Sequence, residues 1–274
     1  MYEQAITTYV QALQIAPSFF EARFELAKIL LETDQLSNAV KQFNVLLKDA
    51  PDNYFIYFCL GYCYQHTGKP EEAVAAYMKA IDLNNSSPDL HFNIAIVYSE
   101  LDMKEEAIEH YQATLSLKPD YVEAYDNLGV IYASVNKNDV AGQMFQMAIQ
   151  LDPEYALSYY NLGCILKKES NFKEALKYYS KALSLGYNSA EIHFLIGECM
   201  FDLGQTSKAI QAFKKALEMN VNDYTIHYKI GVAYSELGFY PEAITHLETY
   251  LNYCPDSPEL EEIQAILSGL YEAI

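Results

Sequence analysis

The chain contains no tryptophan and a single arginine, Arg23, so its 18 basic residues are otherwise all lysine. Guanidinium forks, which grip phosphate bidentately, are thus nearly absent, and 37 acidic residues bring the net charge to −19. That balance argues against a nucleic-acid partner and against an anionic membrane. It keeps the chain soluble and favours cationic partners at low salt.

Cysteine is also scarce. The five residues, at 59, 63, 164, 199 and 254, are odd in number and show no repeated paired spacing, so no disulfide framework is expected. Cys59 and Cys63 stand four apart, but no histidine or second cysteine pair completes a zinc site, and both read as small buried apolar residues. There is no run of eighteen apolar residues, and the opening MYEQAITTYV lacks the basic start and apolar core of a signal peptide. The expected setting is a reducing one, the cytoplasm. Asn84 and Asn85 begin overlapping glycosylation sequons, which carry little weight without a secretory signal. No phosphate loop, dinucleotide glycine motif, zinc-protease helix or nucleophile elbow occurs, so no catalytic residue, metal ligand or cofactor is assigned.

What the chain does have is a period. An alanine returns every 34 residues, at Ala5, Ala39, Ala73, Ala107, Ala141, Ala175, Ala209 and Ala243, without a slip. A small residue repeating at such an interval marks close packing in a solenoid of stacked units. With half the residues apolar, including 25 Tyr and 13 Phe, there is ample material for a continuous core.

If the alanine is repeat position 20, complete units begin at 20, 54, 88, 122, 156, 190 and 224. Positions 4, 7, 8 and 11 form a helical stripe, with position 8 always Gly or Ala, as in Gly61, Ala95 and Gly163. This stripe predicts the buried face of a first helix, A. Position 15 is Asp34, Gly68, Asp102, Asn136, Ser170, Gly204 or Gly238, residues that tolerate a left-handed backbone and end a helix. A second stripe at positions 20, 24, 27 and 28, as in Ala73, Tyr77, Ala80 and Ile81, predicts helix B. Proline closes several units, at Pro17, Pro51, Pro119, Pro153 and Pro255, while Pro88 and Pro258 suit a first helical turn.

Segments such as YVEAYDNLGVIY and PEYALSYYNLGCIL resemble the tetratricopeptide repeat, and the likeness extends over essentially the whole chain. It implies an all-α, right-handed superhelical α-solenoid of antiparallel helix pairs, with helix A lining a concave groove. The expected organisation is a half repeat (helix B only) over 1–19, seven repeats over 20–257 and a capping helix over 258–274. Because the array opens mid-repeat, the chain is expected to be a fragment or to cover that edge by self-association. The repeats use up the chain and leave no insert for a catalytic domain, so an enzyme is not expected.

Function is then expected on the opposite side of helix A, at positions 2, 5, 6, 9, 12 and 13. Position 5 carries Phe24, Phe58, Phe92, Asp126, Tyr160, Phe194 and Tyr228, an aromatic ladder suited to peptide anchoring or to packing between helices. Position 6 carries Asn93, Asn127 and Asn161, a run similar to the asparagine ladder in the repeat arm of O-GlcNAc transferase, which implies amides holding a peptide backbone. Many family members clamp acidic tails with lysine at position 2, where this chain has Glu21, Asp89, Glu123 and Glu191 instead, so such a tail would be repelled. The predicted ligand site is Phe58, Asp89, Phe92, Asn93, Glu123, Asp126, Asn127, Tyr160, Asn161 and Phe194. Its ligand is expected to be an extended or helical protein segment combining a basic residue with an apolar anchor, held by a noncatalytic adaptor. The alternatives are the targeting arm of a larger enzyme such as a glycosyltransferase, and a self-assembling scaffold. Three histidines, His91, His193 and His227, fall at position 4 and read as packing residues.

Overall fold

The structure, a computed structural model, describes residues 2–274, and all its regular elements among them are helices. They run α1 (Tyr2–Ile15), α2 (Phe20–Glu32), α3 (Leu36–Asp49), α4 (Tyr54–His66), α5 (Pro70–Leu83), α6 (Pro88–Glu100), α7 (Lys104–Leu117) and α8 (Val122–Ser134). There follow α9 (Asn138–Leu151), α10 (Ala156–Lys168), α11 (Phe172–Ser184), α12 (Ala190–Asp202), α13 (Thr206–Met219), α14 (Thr225–Glu236), α15 (Tyr240–Tyr253) and α16 (Leu260–Glu272). The chain divides into two compact units, residues 1–135 and 136–274, each a stack of paired helices.

The turn inside each pair is set by one residue. Asp34, Asp102, Asn136 and Ser170 have φ of 58–60°, and Gly68, Gly204 and Gly238 have φ of 70–76°. All seven stand at position 15, where, within each unit, the reversal from helix A to helix B needs a left-handed backbone that Gly, Asn and Asp adopt at least cost. The last helix begins two residues later than expected, because Pro258 and Glu259 form a turn ahead of Leu260.

Packing explains the periodic alanine. Ala39, Ala73, Ala107, Ala141, Ala175, Ala209 and Ala243 are fully buried, whereas Ala5, on a helix with no residue fully inside, is half-buried. Position 24 holds a large side chain buried throughout: Phe43, Tyr77, Tyr111, Phe145, Tyr179, Phe213 and Leu247, none more than 1% exposed. Position 8 is small because that side chain lies on it. A Cβ added at Gly61, Gly163 or Gly197 would stand 2.5–2.6 Å from the ring of Tyr77, Tyr179 or Phe213.

The helix A stripe needs one correction. Positions 3 and 10 are buried as well, as shown by Ile56, Leu90, Cys63 and Val97 in the first unit and Ile192 and Cys199 in the second. Helix A is gripped on two sides, by its own helix B and by helix B of the preceding pair, as α4 is by α5 and α3. A single stripe at 4, 7, 8 and 11 describes only the first of these seams.

Candidate functional site

In the first unit the exposed side of the A helices opens into two clefts. One, of about 420 Å³, is lined by Lys28, Leu31, Glu32, Phe55, Phe58, Cys59, Tyr62 and Asn93. Every one of these residues stands at position 2, 5, 6, 9, 12 or 13, the set expected to face a groove. Its wall is aromatic: Phe55 and Phe58 line it and continue a row begun by Phe20 and Phe24, at ring-centroid separations of 6.0–6.1 Å, and Phe55 is 37% exposed. Lys28 pairs with Glu25 at 3.1 Å and stands over the Phe24 ring. The second cleft, of about 350 Å³, is lined by Ile96, Ser99, Glu100, Tyr111, Asn127, Val130 and Ile131.

The charge on this face is one-sided. Excluding Asp126, the six positions of the first unit carry Glu21, Glu25, Glu32, Asp89, Glu100 and Glu123 against Lys28 alone. The carboxylates are exposed or half-buried. Asp89 is partly engaged, since Tyr121 donates its hydroxyl to Oδ1 at 3.2 Å while stacking on Phe92 at 4.7 Å. Burial, with the Asp89 charge added, pushes the Tyr121 phenol up.

The amide run is less open than the sequence implies. Asn93 donates Nδ2 to the Asp89 carbonyl at 2.8 Å, one turn back on its own helix. Burial pushes the Tyr111 phenol up to about 12, against the pull of hydrogen bonds from Ser99 and Asn127. Asn93 thus spends one of its two amide donors within the fold and keeps the other, with its oxygen, for a ligand.

Two predicted residues leave the open face altogether. Asp126 is 0% exposed and takes part in polar interactions within the protein, and Tyr160 is 8% exposed, packed on Tyr179 and Tyr187. Position 5 borders the seam between helices, and these side chains turn into it. In the second unit Phe194 packs on Phe213 at 5.6 Å, and Asn161 is half-buried. Phe58, Asn93 and Asn127 line clefts, Asp89 and Glu123 are exposed, and Phe92 lies half-buried under Tyr121. Of the residues that line the first cleft, Phe58 and Asn93 belong to the site expected from the sequence, and Lys28, Leu31, Glu32, Phe55, Cys59 and Tyr62 do not.

The second unit has its own cleft, of about 170 Å³, lined by Glu198, Phe201, Asp202, Phe213, Tyr228, Lys229 and Val232. Glu198 accepts from Lys167 at 2.8 Å and Lys229 at 3.0 Å. Burial opposes its ionisation, but these bonds and charges prevail and hold its carboxyl below the usual range. None of these residues had been nominated.

Reactive groups are otherwise quenched. Burial pushes the Cys59 thiol up to about 12 and those of Cys63 and Cys199 to about 11, which leaves them protonated at neutral pH. Among the described residues no group of three His, Cys, Asp or Glu could hold a metal ion, and no helix is long and apolar enough to cross a membrane.

The position-4 histidines hold a feature that the sequence reading missed. His91 meets His110, and His227 meets His246, each Nδ1 to Nδ1 at 2.9 Å. Tyr98 and Tyr234 flank the second ring of each pair. One nitrogen must donate and the other accept, so each pair needs at least one neutral ring. Burial and the facing His227, with Lys214 beyond, lower His246 to about 4; burial and His91 lower His110, against the opposing pull of Glu109. The unfolded chain takes up these protons near pH 6.5, so stability is intact above that value and falls as the pH drops towards 4. The expected effect is a lower unfolding free energy at pH 4.5 than at pH 7, part of it carried by the His246 pair. Denaturant titrations at pH 7 and 4.5 check it, with His246→Gln expected to shrink the difference and separate the pair from the carboxylates.

Stacked helix pairs with clefts along the A face define an α-solenoid repeat protein of the protein-interaction scaffold class. The chain belongs to the tetratricopeptide repeat family. Models of that repeat match residues 1–56, 43–75, 66–102, 105–136, 122–155 and 144–177, and the model described as anaphase-promoting complex, cyclosome, subunit 3 matches 168–250. A curated relative, small glutamine-rich tetratricopeptide repeat-containing protein 2 of Saccharomyces cerevisiae, is 33% identical over 89 residues, 31% of this chain and 25% of its own. Among solved structures, the APC/C hetero-tetramer Cut9-Hcn1 aligns at a TM-score of 0.67 and 19% identity, over 98% of this chain and 52% of that one. YrrB, described as a TPR protein with an unusual peptide-binding site, aligns at 0.61 and 26% identity, over 70% of this chain and 99% of its own. The chain therefore spans about a quarter of the curated relative and about half of the matched chain of that hetero-tetramer.

Proposed function

We propose that the protein is a noncatalytic adaptor whose first unit takes a segment of a partner protein, combining Lys or Arg with an apolar anchor, along its helix A face. The observation that carries this reading is the first cleft, an aromatic wall of Phe55, Phe58 and Tyr62 on a face with six carboxylates to one ammonium. Large rigid rings offer contact area at small entropic cost, and the charge selects a cationic neighbour. The likeness to YrrB, whose description names a peptide-binding site, supports a peptide as the ligand class.

The amides of Asn93 and Asn127 offer a ligand backbone both an acceptor oxygen and an N–H donor. Phe92, Asp89 and Glu123 extend the surface towards the second cleft. Asp126 and Tyr160 act as framework.

The test is fluorescence anisotropy with labelled peptides in which leucine or phenylalanine is flanked by lysine. Glu32→Lys and Phe55→Ala are each expected to weaken binding about tenfold, or roughly 1.4 kcal/mol. Unchanged affinity in both variants would remove the cleft from the ligand site.

A further inference from the structure

The two histidine pairs are unequal, and the first is built like half of a metal site. His91, on α6, turns Nε2 to the Asn85 carbonyl at 3.2 Å and Nδ1 to His110 Nδ1, on α7, at 2.9 Å. A carbonyl only accepts, so Nε2 carries the proton of the neutral His91 ring and its Nδ1 presents a lone pair. The hydrogen in the Nδ1 contact then belongs to His110. A backbone carbonyl that holds the far nitrogen is the usual support of a histidine that ligates a metal ion.

The pair is also close to collinear. Its ring centroids are 5.2 Å apart, about as far as a 2.9 Å contact permits, so both nitrogens lie near the line between the ring centres and face each other along it. Two opposed imidazole nitrogens are a complete ligand set for a linear, two-coordinate ion. Copper suits imidazole, and in its d10 Cu(I) state it takes that geometry, whereas zinc asks for four ligands. Among the described residues no third His, Cys, Asp or Glu joins the pair to make such a set.

Burial points the same way. His91 is 8% exposed, and a site so covered disfavours a doubly charged ion with its own waters more than a singly charged one without them. Glu109 favours positive charge at His110, whereas at the second pair Lys214 opposes it. The second pair is also more bent, with centroids 4.9 Å apart at the same 2.9 Å contact. Bonds of about 2 Å on one line set the nitrogens about 4 Å apart, so the rings must part by about 1 Å. That movement falls to His110, which is half-buried, rather than to His91.

We propose that His91 and His110 form a binding site for Cu(I), held linearly between their Nδ1 atoms. On binding, the Nδ1 proton of His110 passes through solvent to its Nε2. Both rings stay neutral, no proton is released overall, and the copper keeps its oxidation state. The site is independent of the peptide clefts.

The experiment titrates the full chain without oxygen, with Cu(I) kept reduced by ascorbate and ferrozine as the competing ligand. One Cu(I) is expected to leave ferrozine, and X-ray absorption of the complex to show two nitrogen neighbours and no sulfur. His91→Gln and His110→Gln are each expected to weaken binding at least tenfold, and His246→Gln to leave it unchanged. The site is overturned if the chain withdraws no copper, if both first-pair variants bind like the parent, or if His246→Gln weakens binding as much as they do. Sulfur neighbours would overturn it too, by placing the ion on cysteine. Should circular dichroism show that either first-pair variant is unfolded, the absorption spectrum of the parent complex decides.

Discussion

Phe213→Ala is expected to destabilise the second unit by about 3–5 kcal/mol, the range for truncating a fully buried phenylalanine in a core that cannot collapse around the void. Phe213 is 1% exposed, meets Phe194 and lies over Gly197, where an added Cβ would come within 2.5 Å of its ring. Collapse is blocked because helices α12 and α13 are held by neighbours on both sides in the stack. Phe213→Leu should cost less, since the next pair works with Leu247 over Gly231. The complementary change, Gly197→Ala, overpacks the same contact and should cost about 1–3 kcal/mol.

Combining Gly197→Ala with Phe213→Leu should then cost less than the sum, because the smaller side chain leaves room for the methyl. Far-UV circular dichroism during urea unfolding measures all four chains. A Phe213→Ala loss below 1 kcal/mol, or strict additivity in the cycle, would show that position 24 does not set the size of position 8. The units of a repeat stack need not melt together, so a second, later transition from the first unit is an expected part of the Phe213→Ala trace.

The contact between positions 8 and 24 also shows what could be read from the sequence. Period, pairing and turn residues are local properties: the left-handed backbone at position 15 demands Gly, Asn, Asp or Ser whatever surrounds it, so it was visible residue by residue. The six positions of the open helix A side follow from helical geometry, and the residues that line the first cleft stand at them. Individual fates at the border of that face were not. Phe58 lines a cleft while Tyr160, at the same position 5, packs into the core, because exposure there depends on the bulk of side chains from other helices.

The histidine pairs illustrate a signal that was present but unread. His91 and His110 are 19 residues apart, as are His227 and His246, and that spacing joins positions 4 and 23 of one helix pair. His193 has Ala212 at the corresponding place and turns instead to Asn188 Oδ1 at 2.8 Å. Treating the position-4 histidines as a row along the stack hid their partners across each hairpin.

Asp126 is where the legible and illegible parts of the site separate by experiment. The sequence groups it with Asp89 and Glu123 as three carboxylates on one face, yet Asp126 is 0% exposed and Glu123 is open to solvent. A buried carboxylate is tolerated only with polar partners in place, and Asp126 has them within the protein. Asp126→Lys removes those interactions and forces a longer, cationic side chain into the space they occupied, so a loss of about 3–5 kcal/mol is expected. Glu123→Lys, three residues away on the same helix, should stay within about 0.5 kcal/mol of the parent because water solvates either charge. Urea titrations of the two variants give the comparison directly. A charge reversal at Asp126 that weakens a ligand therefore reports on the framework before it reports on contact, and surface reversals at Glu32 or Glu123 are the ones that can speak about binding. If Asp126→Lys proved as stable as Glu123→Lys, position 5 would have to be returned to the open face, and the acidic cluster with it.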